Sequence, residues 1–148
     1  MQDFSPATRV DLFVDTAGWM ALADGADPAH AAARTARDDC LRDGGALITT
    51  DYVVDEMLTL IRLRLGLHAA RNWWERVDSS RRLRWEWIDP ARADKARTWF
   101  FKWADKSFSF TDCTSFVVMD ELSLRKALTT DRHFLQAGFE MLPGKLNS

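Results

Sequence analysis

The chain has 148 residues, of which 47% are hydrophobic and 28% charged, enough apolar material for one folded domain with a sizeable core and too much for a disordered one. No apolar run reaches the length of a membrane span. Two cysteines, Cys40 and Cys113, exclude a disulfide framework, and with three scattered histidines they give no zinc spacing.

Val10 to Asp15 is a short apolar run ending in an acid and reads as a buried strand. Thr16-Ala17-Gly18-Trp19 turns the chain into a short helix that ends by Ala23. Ala29 to Asp43 has no Gly or Pro until Gly44-Gly45 and reads as a helix. Ala46 to Thr50 is a second strand, and Asp51 opens a helix to about Leu65 that Gly66 ends. On that helix Asp55, Thr59 and Arg62 form a polar stripe, whereas Glu56 shares a side with Val53, Leu60 and Leu63. Glu56 is thus expected to face packed structure or a cleft, and Asp55 to face solvent.

Leu67 to Val77 continues as a helix with Trp73-Trp74. Arg82 to Ile88 sets Leu83, Trp85 and Trp87 against Arg82, Arg84 and Glu86, the alternation of a half-exposed edge strand. Asp89-Pro90 is an N-cap followed by proline at the first helical position, opening a helix to about Trp103. The aromatic residues Trp99, Phe100, Phe101 and Trp103 are expected in the core or at a protein interface. Thr111 is expected to cap a further helix to about Leu122, with Asp112 in its first turn and Cys113 as a small buried thiol. Ala127 to Thr130 and Phe139 to Leu142 are the last strands. Alternation of strands and helices predicts an α/β fold with a mostly parallel sheet of about five strands, occupying the whole of residues 1–148 with a core near 10–142.

Three strands end alike, in Val14-Asp15-Thr16, Thr49-Thr50-Asp51 and Thr129-Thr130-Asp131. Sites in such sheets lie beyond the carboxyl ends of the strands, which gathers Asp15 and Asp131 at one edge, with Asp112 and Glu56 on helices that can begin there. Four converging carboxylates repel one another, and a hard cation relieves the repulsion. Oxygen ligands select Mg²⁺ or Mn²⁺, which can activate water beside a phosphate oxygen. No glycine-rich phosphate loop and no nucleophile elbow occurs, so an ATPase or serine-hydrolase reading has no support. Net charge is −2, but it is unevenly spread: residues 61–106 carry 12 basic and 6 acidic side chains and six of the seven tryptophans.

Asp15 in Phe-Val-Asp-Thr-Ala-Gly-Trp, Glu56 in Val-Val-Asp-Glu-Met-Leu, Asp112 in Ser-Phe-Thr-Asp-Cys-Thr-Ser-Phe and Asp131 in Leu-Thr-Thr-Asp-Arg-His-Phe resemble, in order, the four acidic motifs of PIN-domain ribonucleases. The likeness runs from about Val10 to Leu142, and the chain's size is similar to the VapC-type toxins of bacterial toxin–antitoxin pairs. The resemblance implies a Rossmann-like three-layer fold with strand order 3-2-1-4-5, Mg²⁺- or Mn²⁺-dependent cleavage of RNA, a homodimer and a cognate antitoxin. It also implies metal ligation by Asp15 and Asp112, with Glu56 and Asp131 completing the site directly or through water, and Thr16, Thr111, Ser115 and Thr130 orienting the carboxylates. Lys106 and Arg132, and less securely Arg62 and Arg64, are the expected phosphate contacts. A stand-alone RNA-processing nuclease and a non-catalytic RNA- or partner-binding module are the alternatives. The Met1 to Arg9 stretch has no secretory pattern, so a cytoplasmic protein is expected.

Overall fold

In the computed structural model, residues 9–144 are described. The expected domain limits at 1 and 148, and Met1 to Arg9 except for Arg9 itself, lie outside them. Five short strands, β1 (Leu12–Val14), β2 (Leu47–Thr50), β3 (Leu83–Glu86), β4 (Lys126–Leu128) and β5 (Glu140–Leu142), form one sheet in the order β3-β2-β1-β4-β5. Every neighbouring pair is parallel. Between them run the helices α1 (Thr16–Ala23), α2 (His30–Arg42), α3 (Asp51–Leu65), α4 (Leu67–Ser79), α5 (Pro90–Lys102), α6 (Phe110–Glu121) and α7 (His133–Gln136). No described helix is long and apolar enough to cross a membrane.

A parallel pair needs a crossover, and crossovers are right-handed. The chain steps from β1 to β2 to β3 in one direction, then back past β1 to β4 and β5. Right-handed crossovers in opposite directions put α1–α4 on one face and α5–α7 on the other. The order reverses between β1 and β4, whose register pairs Phe13 with Ala127 and Val14 with Leu128. The carboxyl side of that switch is where such sheets form a crevice.

Local chemistry sets the element ends. Thr50 caps α3 by accepting the Val53 N–H at 3.1 Å, and Gly66, at φ 98°, ends it in a conformation that disfavours side chains. Asp89 caps α5 through the Arg92 N–H, with Pro90 at the first position. Strand β3 lies at the sheet edge as expected, but it ends at Glu86, so Trp87 leaves the ladder and is 62% exposed.

The core is built on β1, with Phe13 and Val14 fully buried. On the α5–α7 side Phe116 is the hub, within 6.0 Å centroid distance of Trp99, Phe108, Phe134 and Phe139. Trp73 is buried edge-on against Trp19, whereas Phe100 and Phe101 are exposed. The aromatic stretch thus divides between core and surface. Cys113 is buried, and desolvation pushes its thiol up to about 11, an inert state. Gly18 is required where α1 crosses the sheet, because a Cβ there would stand 2.0 Å from the Leu128 carbonyl oxygen. That close approach presses the start of α1 against the end of β4.

Candidate active site

Asp15 follows β1 and caps α1. Its Oδ1 accepts the Gly18 N–H at 2.8 Å, and its Oδ2 accepts the Thr129 hydroxyl at 2.7 Å. The Thr129 oxygen also accepts the Asp131 N–H at 2.8 Å. One buried hydroxyl therefore ties the end of β1 to the turn after β4. Asp131 makes an Asx turn, its Oδ1 accepting the His133 N–H at 2.9 Å.

Asp112 stands at the third position of α6 in a reciprocal cap. The Ser109 hydroxyl accepts the Asp112 N–H at 2.9 Å, while Asp112 Oδ2 accepts the Ser109 N–H at 3.0 Å. The cap is thus Ser109, not Thr111: a hydroxyl two residues earlier in the chain can answer the acid at the third position, and Thr111 lies already inside the helix. Asp112 shares its side of the helix with Phe116 and Met119, both fully buried.

Asp15, Glu56, Asp112 and Asp131 all line one cleft of about 190 Å³, together with Thr16, Thr111 and Ser115. Asp55 is exposed. Val53 and Leu60 share the cleft with Glu56, but Leu63, expected on the same side, is 76% exposed, although Ile61 in the same turn is buried. The ligand atoms of Asp112, Asp131 and His133 come within 4.8 Å of one another; Asp15 and Glu56 stand outside that tightest group. A larger, mostly apolar groove of about 550 Å³ lies between α1–α2 and α3–α4, lined by Trp19, Leu41 and Trp73 among others. It contains one acid, Asp38, and no comparable cluster.

The electrostatics follow from burial. Desolvation is the main cause that pushes the Asp15 carboxyl up to about 8, with the neighbouring Asp131 and Asp112 adding to it against the Gly18 and Thr129 hydrogen bonds. Asp112 is also raised, first by burial, then held back by the Ser109 N–H and by His133. A site that pushes protons onto its own carboxylates is one that a cation would restore to the charged form. Thr16 Oγ1 and Ser115 Oγ, both buried, have no hydrogen-bond partner among the described residues. Carboxylate and hydroxyl oxygens around a small cleft fit a hard divalent cation and its waters.

Two residues escaped the sequence reading. Thr129, not Thr130, holds Asp15: its N–H still bonds the Leu142 carbonyl, which fixes its side chain inward, while Thr130 leaves the sheet and is exposed. His133, one of three histidines without zinc spacing, follows Asp131 by two residues, and the Asp131 side chain accepts its N–H. Of the expected phosphate contacts, Arg64 lines the cleft. Lys106 pairs with Asp105 at 3.5 Å, and Arg132 is exposed with no ion pair among the described residues.

The PIN domain pattern matches residues 12–140. The chain belongs to the PIN family. Within it, the 23S rRNA-specific endonuclease VapC20 of Mycobacterium tuberculosis is 30% identical over 128 residues, covering 86% of this chain and 95% of that one, which places the chain among VapC-type PIN proteins. Ribonuclease VapC26 of the same organism is 27% identical over 134 residues, covering 85% and 90%. The crystal structure of M. tuberculosis VapC20, a sarcin–ricin loop cleaving toxin, superposes with a TM-score of 0.80 at 29% identity over 87% of this chain and 96% of that one. A FitAcB structure from Neisseria gonorrhoeae shares the PIN fold at a TM-score of 0.60 and 17% identity, covering 88% and 95%.

Proposed function

We propose that this chain is a divalent-metal-dependent endoribonuclease, the toxin of a toxin–antitoxin pair, and that it cuts large-subunit ribosomal RNA. What carries the reading is the nearly full-length match, at 30% identity, to VapC20, whose name gives 23S rRNA as its target, joined to four acids around one cleft. A pure RNA-binding module gains nothing from clustered negative charge.

Asp15 and Asp112 are the proposed ligands of Mg²⁺ or Mn²⁺, with Glu56 and Asp131 completing the site directly or through water. When bound, such an ion supplies Lewis-acid polarisation of a phosphate oxygen and a water of lowered pKa. The chain's own residues supply the geometry. Thr129 and the Gly18 N–H fix Asp15, the Asx turn fixes Asp131, and Ser109 fixes Asp112. Thr16 and Ser115 offer free hydroxyls to water or phosphate inside the cleft. The exposed Phe100 and Phe101 suit a second copy of the chain, and an antitoxin segment would block the cleft.

The test is to incubate the purified chain with ribosomes and with naked total RNA, with Mg²⁺ or Mn²⁺ and with EDTA, and to map new RNA ends. Metal-dependent ends at one site in 23S rRNA are expected. Metal-independent ends, or none with either ion, reject the reading, and specific ends only in other RNAs reject the substrate.

An acidic cleft also needs cations at its rim to hold a polyanion. Arg64 and Arg132, with Lys106 once released from Asp105, are the proposed phosphate contacts. Arg132→Ala is expected to weaken binding of every RNA sequence and to flatten the plot of log affinity against log salt by about 0.7, the contribution of one contact to single-stranded nucleic acid. An unchanged slope with a lower melting temperature would assign Arg132 a structural part instead.

A further inference from the structure

His133 is bonded to two of the four cleft acids through different atoms. Its backbone N–H holds Asp131 Oδ1 at 2.9 Å, and its ring Nδ1 lies 2.8 Å from Asp112 Oδ2. In the charged form that would hold a cation, the Asp112 carboxylate only accepts, so Nδ1 carries the hydrogen of that bond. In the neutral ring Nε2 is then an acceptor, and the Ser107 hydroxyl stands 3.2 Å from it, ready to donate. The ring is held edge-on by Phe108 at a centroid distance of 5.5 Å, and Phe108 is itself buried against Phe116.

The consequence lies on Asp112. Its Oδ2 receives two donors, the Ser109 N–H and His133 Nδ1–H, while no donor among the described residues reaches Oδ1. We propose that His133 is a positioning residue for the metal cleft: with its ring held between Ser107 and Phe108, it turns one oxygen of Asp112 into the protein and leaves the other for the cation. The proposal rests on the metal-dependent reading of the site above. It makes the imidazole a partner of the ligand and not a ligand, an arrangement in which outer partners typically contribute 10–100-fold to metal affinity.

Three variants test it. His133→Phe keeps the ring packed on Phe108 and removes the donor. His133→Asn keeps a nitrogen donor about where Nδ1 stands but cannot reach Ser107. Ser107→Ala removes the hydrogen bond at Nε2 alone. All three retain the backbone N–H to Asp131. Mn²⁺ affinity is read by electron paramagnetic resonance and calorimetry, beside RNA cleavage and melting temperature. His133→Phe is expected to weaken Mn²⁺ binding by about 10–100-fold with a parallel loss in kcat/KM, His133→Asn to recover most of that loss, and Ser107→Ala to cost a few-fold. Echo-modulation spectra of the wild type with Mn²⁺ are expected to show no directly bound nitrogen.

Wild-type affinity in His133→Phe overturns the proposal, as does equal impairment of the Phe and Asn variants. A directly bound imidazole nitrogen overturns it too, in favour of His133 as a ligand. A wild-type chain that binds no Mn²⁺ at all fails at the earlier step and removes the metal reading itself.

Discussion

Asp112→Asn leaves a folded protein that no longer cleaves RNA. The amide can keep its oxygen on the Ser109 N–H and His133 donors, so the helix cap survives. Its NH₂ then faces the cleft, and a cation meets a donor where it needs an acceptor. Loss of one charged ligand from a site that depends on metal polarisation is expected to cost at least about a thousandfold in kcat/KM, or about 4 kcal/mol of transition-state stabilisation. Calorimetric Mn²⁺ titration and a gel assay on the mapped RNA site check it. Because burial already opposes charge on Asp112, melting temperature without metal should hold or rise. Cleavage at the wild-type rate would remove Asp112 from the site.

The second large effect is a dependence of stability on pH that reverses when metal is added. The Asp15 carboxyl is raised to about 8 in the fold, while the unfolded chain titrates near 4. Between those values the folded state holds a proton that the unfolded state has lost, so stability falls as pH rises. Below about 4 both states are protonated and the contribution is flat; above about 8 the whole penalty is present. The slope approaches 1.4 kcal/mol per pH unit at most. A cation binds the deprotonated site and the folded state only, so saturating Mn²⁺ should flatten or invert the slope and release protons on binding. Melting curves from pH 5 to 8.5 with and without Mn²⁺ check this. In Asp15→Asn the metal-free slope should largely vanish, and an unchanged slope in that variant would place the buried charge elsewhere.

How far the sequence reveals this depends on the range of the interaction. Element bounds were legible because caps, glycines and short apolar runs act locally: α3 was readable at both ends from Thr50-Asp51 and Gly66, whereas the strand order followed only from the family resemblance. Glu56 against Asp55 was legible because helical periodicity separates neighbours by a third of a turn. What was not legible depends on where one strand ends relative to another. Thr129 and Thr130 are chemically identical, and only the bond from Thr129 to the Leu142 carbonyl decides which one turns inward. Ser109 displaced Thr111 as the cap because Asp112 could answer it, a reciprocal bond that a one-residue reading overlooks. Trp87 continues the alternation of β3 in sequence but lies past its last paired residue. His133 gains its meaning from Asp112, twenty-one residues away.

The tie between Asp15 and Thr129 spans 114 residues. Strand β1 lies between β2 and β4 in the sheet, and β4 is made only after β2 and β3. Long-range parallel pairing of this kind forms late and slowly. A nascent or truncated chain without β4 and α7 lacks Thr129, Asp131 and His133 together, so the cleft has one of its walls missing and Asp15 has lost a partner. If large-subunit RNA is the target, the ribosome making this chain therefore faces no complete cleft until β4 and the turn after it have been made. Completion of the cleft is thus tied by the topology to the pairing of β1 with β4.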